Sequence, residues 1–242
     1  MNITEMHLAV QQGVDKINSF QADTLLSEEL DLELNKAINK FVNLKYGKNN
    51  LYNKGFEESQ KRVDDLRVLI KDVTLNLTYR DETVNNISTY VSEILPDDYR
   101  FLLKGLAEIG YKSTCKSLNS KEQQLLSPIS GGLKRKVAVK FIQQDDILTI
   151  LSDPFNTTTK EKPLITIEHD SIVTYTNDIF IIDNVKLTYI KNPAKVSLSL
   201  GVNCELADQT HQEIIDMTIN SILEGISDPR YKTQSIELGK NE

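Results

Sequence analysis

The spacing of apolar residues changes near Leu75, and that change confines the chain to folds that join helices to a sheet. Before it, Ile3, Met6, Val10, Gly13 or Val14, and Ile17 recur three and four positions apart, which lays one apolar stripe along a helix. Ser27 stands where a cap would stand, with Glu28 and Glu29 at the positive end of the dipole, ahead of Leu30, Leu34, Ile38, Phe41 and Val42. A third, more polar helix is expected through Phe56, Val63, Leu66, Leu69 and Ile70. From Leu75 to Val91, Thr, Val, Ile and Tyr fall in short alternating runs broken at Asp81-Glu82 and Asn85-Asn86, which predicts strands joined by turns.

Pro96 with Asp97 and Asp98 fits the first turn of a short helix to Glu108, with Phe101, Leu102, Leu106 and Ile109 as its apolar positions. Lys112 to Lys136 has no periodicity, and Ser127-Pro128 and Gly131-Gly132 mark it as a long central loop. Its Leu125, Leu126 and Ile129 are interface candidates: they either close the local core or anchor an arm on a neighbour. Lys136 to Ile142 then reads as a strand and Asp145 to Leu151 as one or two helical turns stopped by Asp153-Pro154. Five β-rich runs follow: Leu164 to Glu168, Ile172 to Thr176, Ile179 to Ile182, Val185 to Ile190 and Val196 to Leu200. Asn177-Asp178 fits a hairpin turn. Thr210-His211-Gln212-Glu213 has the form of a capping box, opening a helix with Ile215, Ile219, Ile222 and Ile226 on one face and Asp228-Pro229 at its end. Ile215, Ile219 and Ile222 are the other interface candidates, facing apolar surface within the subunit or across an assembly.

The expected fold class is α+β: N-terminal helices and a C-terminal helix packed with a mainly antiparallel sheet. One cooperative unit over residues 1–242 is expected, with a possible division into a mainly helical region 1–135 and a β-rich region 136–242.

Charge and motifs exclude several kinds of function. Twenty-eight Lys and Arg against 35 Asp and Glu leave a formal charge of −7, a poor balance for a general nucleic-acid binder. The densest basic run, Lys134-Arg135-Lys136, reads as a solvated loop or a DNA contact. No apolar run approaches the roughly 18 to 20 residues of a membrane helix. Glu5, His7, Asp15 and Lys16 interrupt any signal-peptide core, so synthesis and retention in a cytosol are expected. Cys115 and Cys204 are expected as buried thiols, not a disulfide framework or a zinc site. Phosphate loops of the G-x-G-x-x-G or P-loop type are missing, and His7, His169 and His211 share no ligand spacing and read as surface or capping residues. The sharpest chemical candidate is Asp145, Asp146 and Asp153, with Glu168 or His169, as carboxylates able to hold Mg²⁺ for phosphodiester hydrolysis. The competing reading makes them ordinary capping and turn residues. No cofactor, bound metal or catalytic residue is expected.

Several short segments, scattered across nearly the whole chain, carry a family resemblance. They include Thr4-Glu5-Met6-His7, Glu28-Glu29-Leu30-Asp31 with Leu34-Asn35-Lys36-Ala37, and Leu95-Pro96-Asp97-Asp98-Tyr99. They continue with Gln144-Asp145-Asp146-Ile147, Asp153-Pro154-Phe155, and Tyr189-Ile190-Lys191 with Pro193 and Val196. The clearest are Cys204-Glu205-Leu206, His211-Gln212-Glu213-Ile214-Ile215-Asp216 and Asp228-Pro229-Arg230-Tyr231. Together these segments resemble a family of virion proteins from crAss-like tailed bacteriophages that form rings in the neck between portal and tail. The resemblance implies a head-to-tail connector or adaptor without enzymatic activity, made in the bacterial cytoplasm and resident in the virion neck. Such proteins pair a helical region with a β-rich one and assemble as homo-oligomeric rings, commonly dodecameric, against the portal and other neck and tail proteins. DNA would be a non-specific neighbour, and an acidic subunit suits it because scarce cations do not pin phosphates. Two other readings stand beside this one, a metal-dependent nuclease or hydrolase built on the aspartates and a protein-binding adaptor outside any virion.

Overall fold

A computed structural model describes residues 1–17, 25–47, 56–84, 87–111, 135–177 and 180–225. The chain falls into two compact units, Met1–Ile70 with Asn192–Glu242, and Lys71–Lys191. The division lies at residues 70/71 and 191/192, not near residue 135. The fold class is α+β, with five α-helices and one eight-stranded, mainly antiparallel sheet among the described residues.

The first unit is built on three helices, α1 (Ile3–Ile17), α2 (Ser27–Tyr46) and α5 (His211–Gly225). The expected stripes are the buried ones: Met6, Val10 and Val14 on α1, Leu30, Leu34, Ile38, Phe41 and Val42 on α2. On α5, Ile215, Ile219 and Ile222 are buried beside Ile214 and Leu223, so they pack among the helices. Gly13 is what lets α5 approach α1, since a Cβ there would overlap Ile219 Cδ1. Three local expectations are corrected. Ser27 gives no side-chain cap; Leu26 holds the cap position, and its N–H donates to Glu29 Oε2 at 3.0 Å. Thr210 lies in a short 3₁₀ turn (Asp208–Thr210), its hydroxyl donating to Ala207 O at 2.8 Å instead of capping α5. The third helix, α3 (Gln60–Leu66), is shorter than the apolar spacing suggested, with 3₁₀ turns on either side, and Phe56, Leu66 and Leu69 are buried.

The second unit holds the strands. These are β1 (Ile70–Val84), β2 (Ile87–Ser92), β3 (Tyr99–Tyr111), β4 (Arg135–Ala138), β5 (Lys140–Phe141), β6 (Leu164–Glu168), β7 (Ser171–Thr176) and β8 (Phe180–Lys191). Their order is β4-β3-β8-β1-β2-β7-β6-β5. The two ends of that order are one stretch of chain, since only Val139 separates β4 from β5. β4 runs antiparallel to β3, Val139 N–H donates to Gly105 O at 3.1 Å, and Lys140 N–H donates to Pro163 O at 2.9 Å. β5 then pairs with β6 in parallel. The sheet therefore closes on itself as a barrel, the arrangement that removes free strand edges.

Side chains fill the barrel. Leu75 of β1, Ala107 and Ile109 of β3, Val137 of β4, Ile165 of β6 and Ile172 of β7 meet Phe180, Ile182, Val185 and Leu187 of β8 in one buried cluster. The inward set on β8 steps from Ile182 to Val185 because the pairing with β3 slips between Glu108 and Ile109, a bulge in which Asp183 is the extra residue of β8. A second cluster lies on the opposite face of β2, β6 and β7, where α4 (Ile147–Ser152) covers Leu164, Val173 and Tyr175 with Ile147 and Leu151.

Other expectations for this unit are corrected. Pro96 to Glu108 is not a helix: Tyr99 onward is strand β3, paired with β8 along nearly its whole length, and these long-range bonds override a local helical spacing. Ile179 to Ile182 and Val185 to Ile190 belong to a single strand, β8, though Ile179 itself lies outside the described residues. Val196 to Leu200 forms only a turn closed by the isolated bridge Ser197–Val202. Asp81-Glu82 lies within β1 and makes no turn, though the ladder with β2 slips there, between Arg80 and Thr83. Residues 112–134, with Leu125, Leu126, Ile129 and Cys115, lie outside the described residues, as do Asp178 and the chain from Ile226 onward. The hairpin expected at Asn177-Asp178 is corrected, because β7 lies between β2 and β6 and β8 between β3 and β1, so the two strands are not paired with each other.

Gly105 is the point on which closure turns. A Cβ there would overlap Val139 Cγ2 and press on the Phe141 ring at 3.0 Å. Valine has the higher intrinsic strand preference, so preference alone would make Gly105→Val stabilising. Overpacking outweighs that preference, and the expected result is a loss of about 1–3 kcal/mol in urea unfolding. An unchanged midpoint would contradict the close approach.

Candidate functional site

The carboxylates proposed as a metal site do not converge. Asp145 and Asp146 are exposed ahead of α4, and Asp146 occupies its N-cap position without a side-chain cap bond. Asp153 ends α4 and builds an Asx turn: Oδ1 accepts the Phe155 N–H at 2.9 Å and Oδ2 accepts the Asn156 amide at 2.6 Å. Those bonds, the Phe155 N–H first, hold its carboxyl below the usual carboxylate range. Glu168 pairs with Arg80 at 3.2 Å. His169, in the β6–β7 turn at φ 48°, is exposed and pairs with Asp170 at 3.1 Å. Among the described residues no three of His, Cys, Asp and Glu stand close enough to hold a metal ion. Arg135 and Lys136 of the basic run open β4 and are exposed.

Two histidines expected as surface or capping residues are buried. His7 Nε2 lies 2.8 Å from Asp31 Oδ1. His211 Nε2 lies 3.0 Å from Leu206 O, which makes it the donor, and leaves Nδ1 3.1 Å from the Met1 ammonium. Cys204 is free and half-buried, and burial raises its thiol pKa.

The polar groups of the first unit pin a turn. Asn35 on α2 grips Val196 with both ends of its amide, accepting the Val196 N–H at 2.9 Å and donating to Val196 O at 3.0 Å. One turn earlier, Asp31 accepts the Leu198 N–H at 3.1 and 3.0 Å. The i, i+4 spacing puts both side chains on one face of α2, so two alternate loop residues, Val196 and Leu198, are held like the partner of a strand. Gly201, at φ 65°, completes the reversal with its N–H on Leu198 O at 3.2 Å. The turn so fixed carries Leu200, 80% exposed.

The second unit shows the same pattern twice. The Asx turn at Asp153 carries Phe155, 94% exposed, and the loop is tied down further by Thr158, whose hydroxyl donates to Tyr175 O at 2.6 Å and accepts the Leu164 N–H at 3.3 Å. Between β2 and β3, Leu95 N–H donates to Asp170 O at 2.7 Å and leaves Ile94 74% exposed. Ile94, Leu95, Pro96, Tyr99 and Ile167 line a cleft of about 340 Å³, with Asp97 and Asp170 also in its wall. Behind it, Tyr189 donates to Asp98 Oδ1 at 2.8 Å and Lys71 pairs with Asp98 Oδ2 at 2.7 Å. Burial, then Asp98, pushes the Tyr189 hydroxyl up to about 12.

These arrangements suit docking more than chemistry, because bulky apolar groups stand in water on loops whose backbone is fixed. Sequence reasoning missed all three residues. The Asx pattern at Asp153 through Asn156 is the one signal that pointed to a presented Phe155. No protein-family model matches the chain, and no curated protein matches it.

His211 gives a test of the buried polar frame. Burial lowers its pKa below 6.5, with the Met1 ammonium acting the same way, and the Leu206 carbonyl and Asp208 opposing them. Below pH 6.5 the unfolded chain therefore binds a proton that the folded chain resists, and stability falls as pH falls toward the folded pKa. His211→Gln should flatten the decline in unfolding free energy between pH 7 and pH 5. Equal slopes in the natural chain and the variant would contradict it.

Proposed function

We propose that this chain is a structural subunit of a tailed-phage virion, forming a ring in the neck that joins portal and capsid to tail and lets DNA pass. The observation that carries the reading is the display of Phe155, Ile94 and Leu200 on turns that hydrogen bonds hold rigid. Large apolar groups held rigidly in water are what a subunit of a permanent assembly presents, since ordering costs are met before it binds. A ring needs two unlike surfaces that meet between successive copies. Closure of the barrel leaves its sheet without the edge that could supply one, and the presented side chains supply the surfaces instead. The resemblance in segments such as Asp153-Pro154-Phe155 and Leu95-Pro96-Asp97 falls on the same loops. The net charge of −7 suits a wall past which a duplex must slide. No helix among the described residues is long and apolar enough to cross a membrane.

On this reading the chain binds itself, the portal and other neck or tail proteins, and has no catalytic role. Electron microscopy of purified virions should find its copies as a ring between portal and tail. The purified protein should leave DNA intact with Mg²⁺. Absence from the particle, or Mg²⁺-dependent cleavage abolished in Asp145→Asn/Asp146→Asn, would overturn the reading.

A further inference from the structure

We infer that the lysine-bearing outer face of β3 and β4 in one copy packs against the acidic surface beside α4 in the next, so that copies of the second unit join head to tail. The inference rests on the ring-subunit reading and names two surfaces that make the ring.

The basic face follows from the pleat. Ala107, Val137 and Val185 point into the barrel, so their neighbours along β3, β4 and β8 point out. One outward row runs Ala138, Leu106, Lys186, and the next runs Lys136, Glu108, Asn184. Lys104 lies two residues from Leu106 and opposite Thr188, and Lys140 lies two residues beyond Ala138. Lys104, Lys136 and Lys140 are exposed and make no ion pair among the described residues. The carboxylates among them are already engaged. Asp72 takes Lys186 and the Thr188 hydroxyl, each at 2.7 Å, and Glu108 accepts the Asn184 amide at 2.6 Å. Four lysines against those two carboxylates leave this face at +2, on a chain whose total is −7.

Beside α4 the sign is reversed. Asp145 and Asp146, just ahead of the helix, are exposed and make no ion pair among the described residues. Leu148 follows them, 58% exposed. Each surface thus joins apolar side chains to charged ones, Leu106 and Ala138 among lysines and Leu148 next to aspartates, which is how protein interfaces are composed. Opposite charges across such a contact fix its orientation and speed its formation.

Position requires two copies. α4 covers Val173 and Tyr175 of β7, and β7 is two strand positions from β3 and from β8 whichever way the barrel is followed. The two surfaces therefore point away from each other, and a copy cannot satisfy its own. Contact between unlike patches leaves one of each open until a ring closes. Duplex DNA fits the basic face less well, because Glu108 and Asp72 stand within it and would repel phosphates, and the aspartates beside α4 would be left without a counterpart.

The test reverses charge. Lys104→Glu/Lys136→Glu makes both surfaces acidic, Asp145→Lys/Asp146→Lys makes both basic, and the fourfold variant exchanges the two signs. All four positions are exposed, and matching melting curves will show that the variants fold. In sedimentation velocity at low salt, the natural chain should form trimers and larger species that dissociate as NaCl is raised. Each double variant alone should need at least about tenfold higher concentration to associate, since like charges then meet. Mixing the two double variants, or making all four changes in one chain, should restore association. A natural chain that stays monomeric at every concentration, double variants that assemble as it does, or a mixture that fails to recover would each overturn the contact. Binding of a random DNA duplex that Lys104→Glu/Lys136→Glu abolishes, without self-association, would assign the basic face to nucleic acid and overturn it as well. Any of these results with the protein present in the virion neck overturns the contact alone; absence from the virion overturns the ring reading whatever the charges do.

Discussion

One stretch of chain, Arg135 to Phe141, holds the second unit together by pairing with both ends of the sheet. Its first half completes a ladder with β3 and its second half a parallel pair with β6. Were it released, β3 and β6 would both expose unpaired backbone, and the buried cluster of Val137, Ile165 and Phe180 would open on one side. The bend at Val139 is possible because Gly105 has no side chain where Val139 and Phe141 turn inward. The bulge at Asp183 serves the same end by bringing Val185 and Leu187 back to the interior after Ile182.

Closure also governs how the unit can meet other molecules. An open sheet recruits partners by adding strands, and a closed one cannot. What remains for contact is side chains, and the loops that carry them are fixed by polar groups: Asp153 under Phe155, Asp170 beside Ile94. The first unit uses the same device with Asp31 and Asn35 beneath Leu200. In each case hydrogen bonds to loop backbone settle the entropy of the turn inside the subunit, so that a partner need only cover the apolar group.

The helices α1, α2 and α5 were legible because each buries a stripe at helical spacing, and that stripe is a local property of the sequence. Strand β3 was not. Leu102, Leu106 and Ile109 lie on one face of an ideal helix as readily as they fit a strand, and what decides is pairing with β8, some eighty residues away. The turn at Val196 to Leu200 misled for the opposite reason: its apolar composition resembles a strand, but its backbone is taken by Asn35 and Asp31, far earlier in the chain. His7 and His211 looked like surface or capping residues because their partners, Asp31 and Leu206, are set by tertiary packing. Exposure of Phe155 and Ile94 runs against hydrophobicity, so composition conceals it.

The claim that this one segment closes the barrel is tested most directly by amide hydrogen exchange at Val139, Lys140 and Ile142. Their N–H groups donate to Gly105 O, Pro163 O and Ile165 O, at 3.1, 2.9 and 3.0 Å. If the barrel is closed, the three amides should exchange as slowly as those of β3 and β8, through unfolding of the whole unit. Exchange at the rate of an unprotected chain, with β3 and β8 still protected, would show a sheet that is open at this seam and contradict the account.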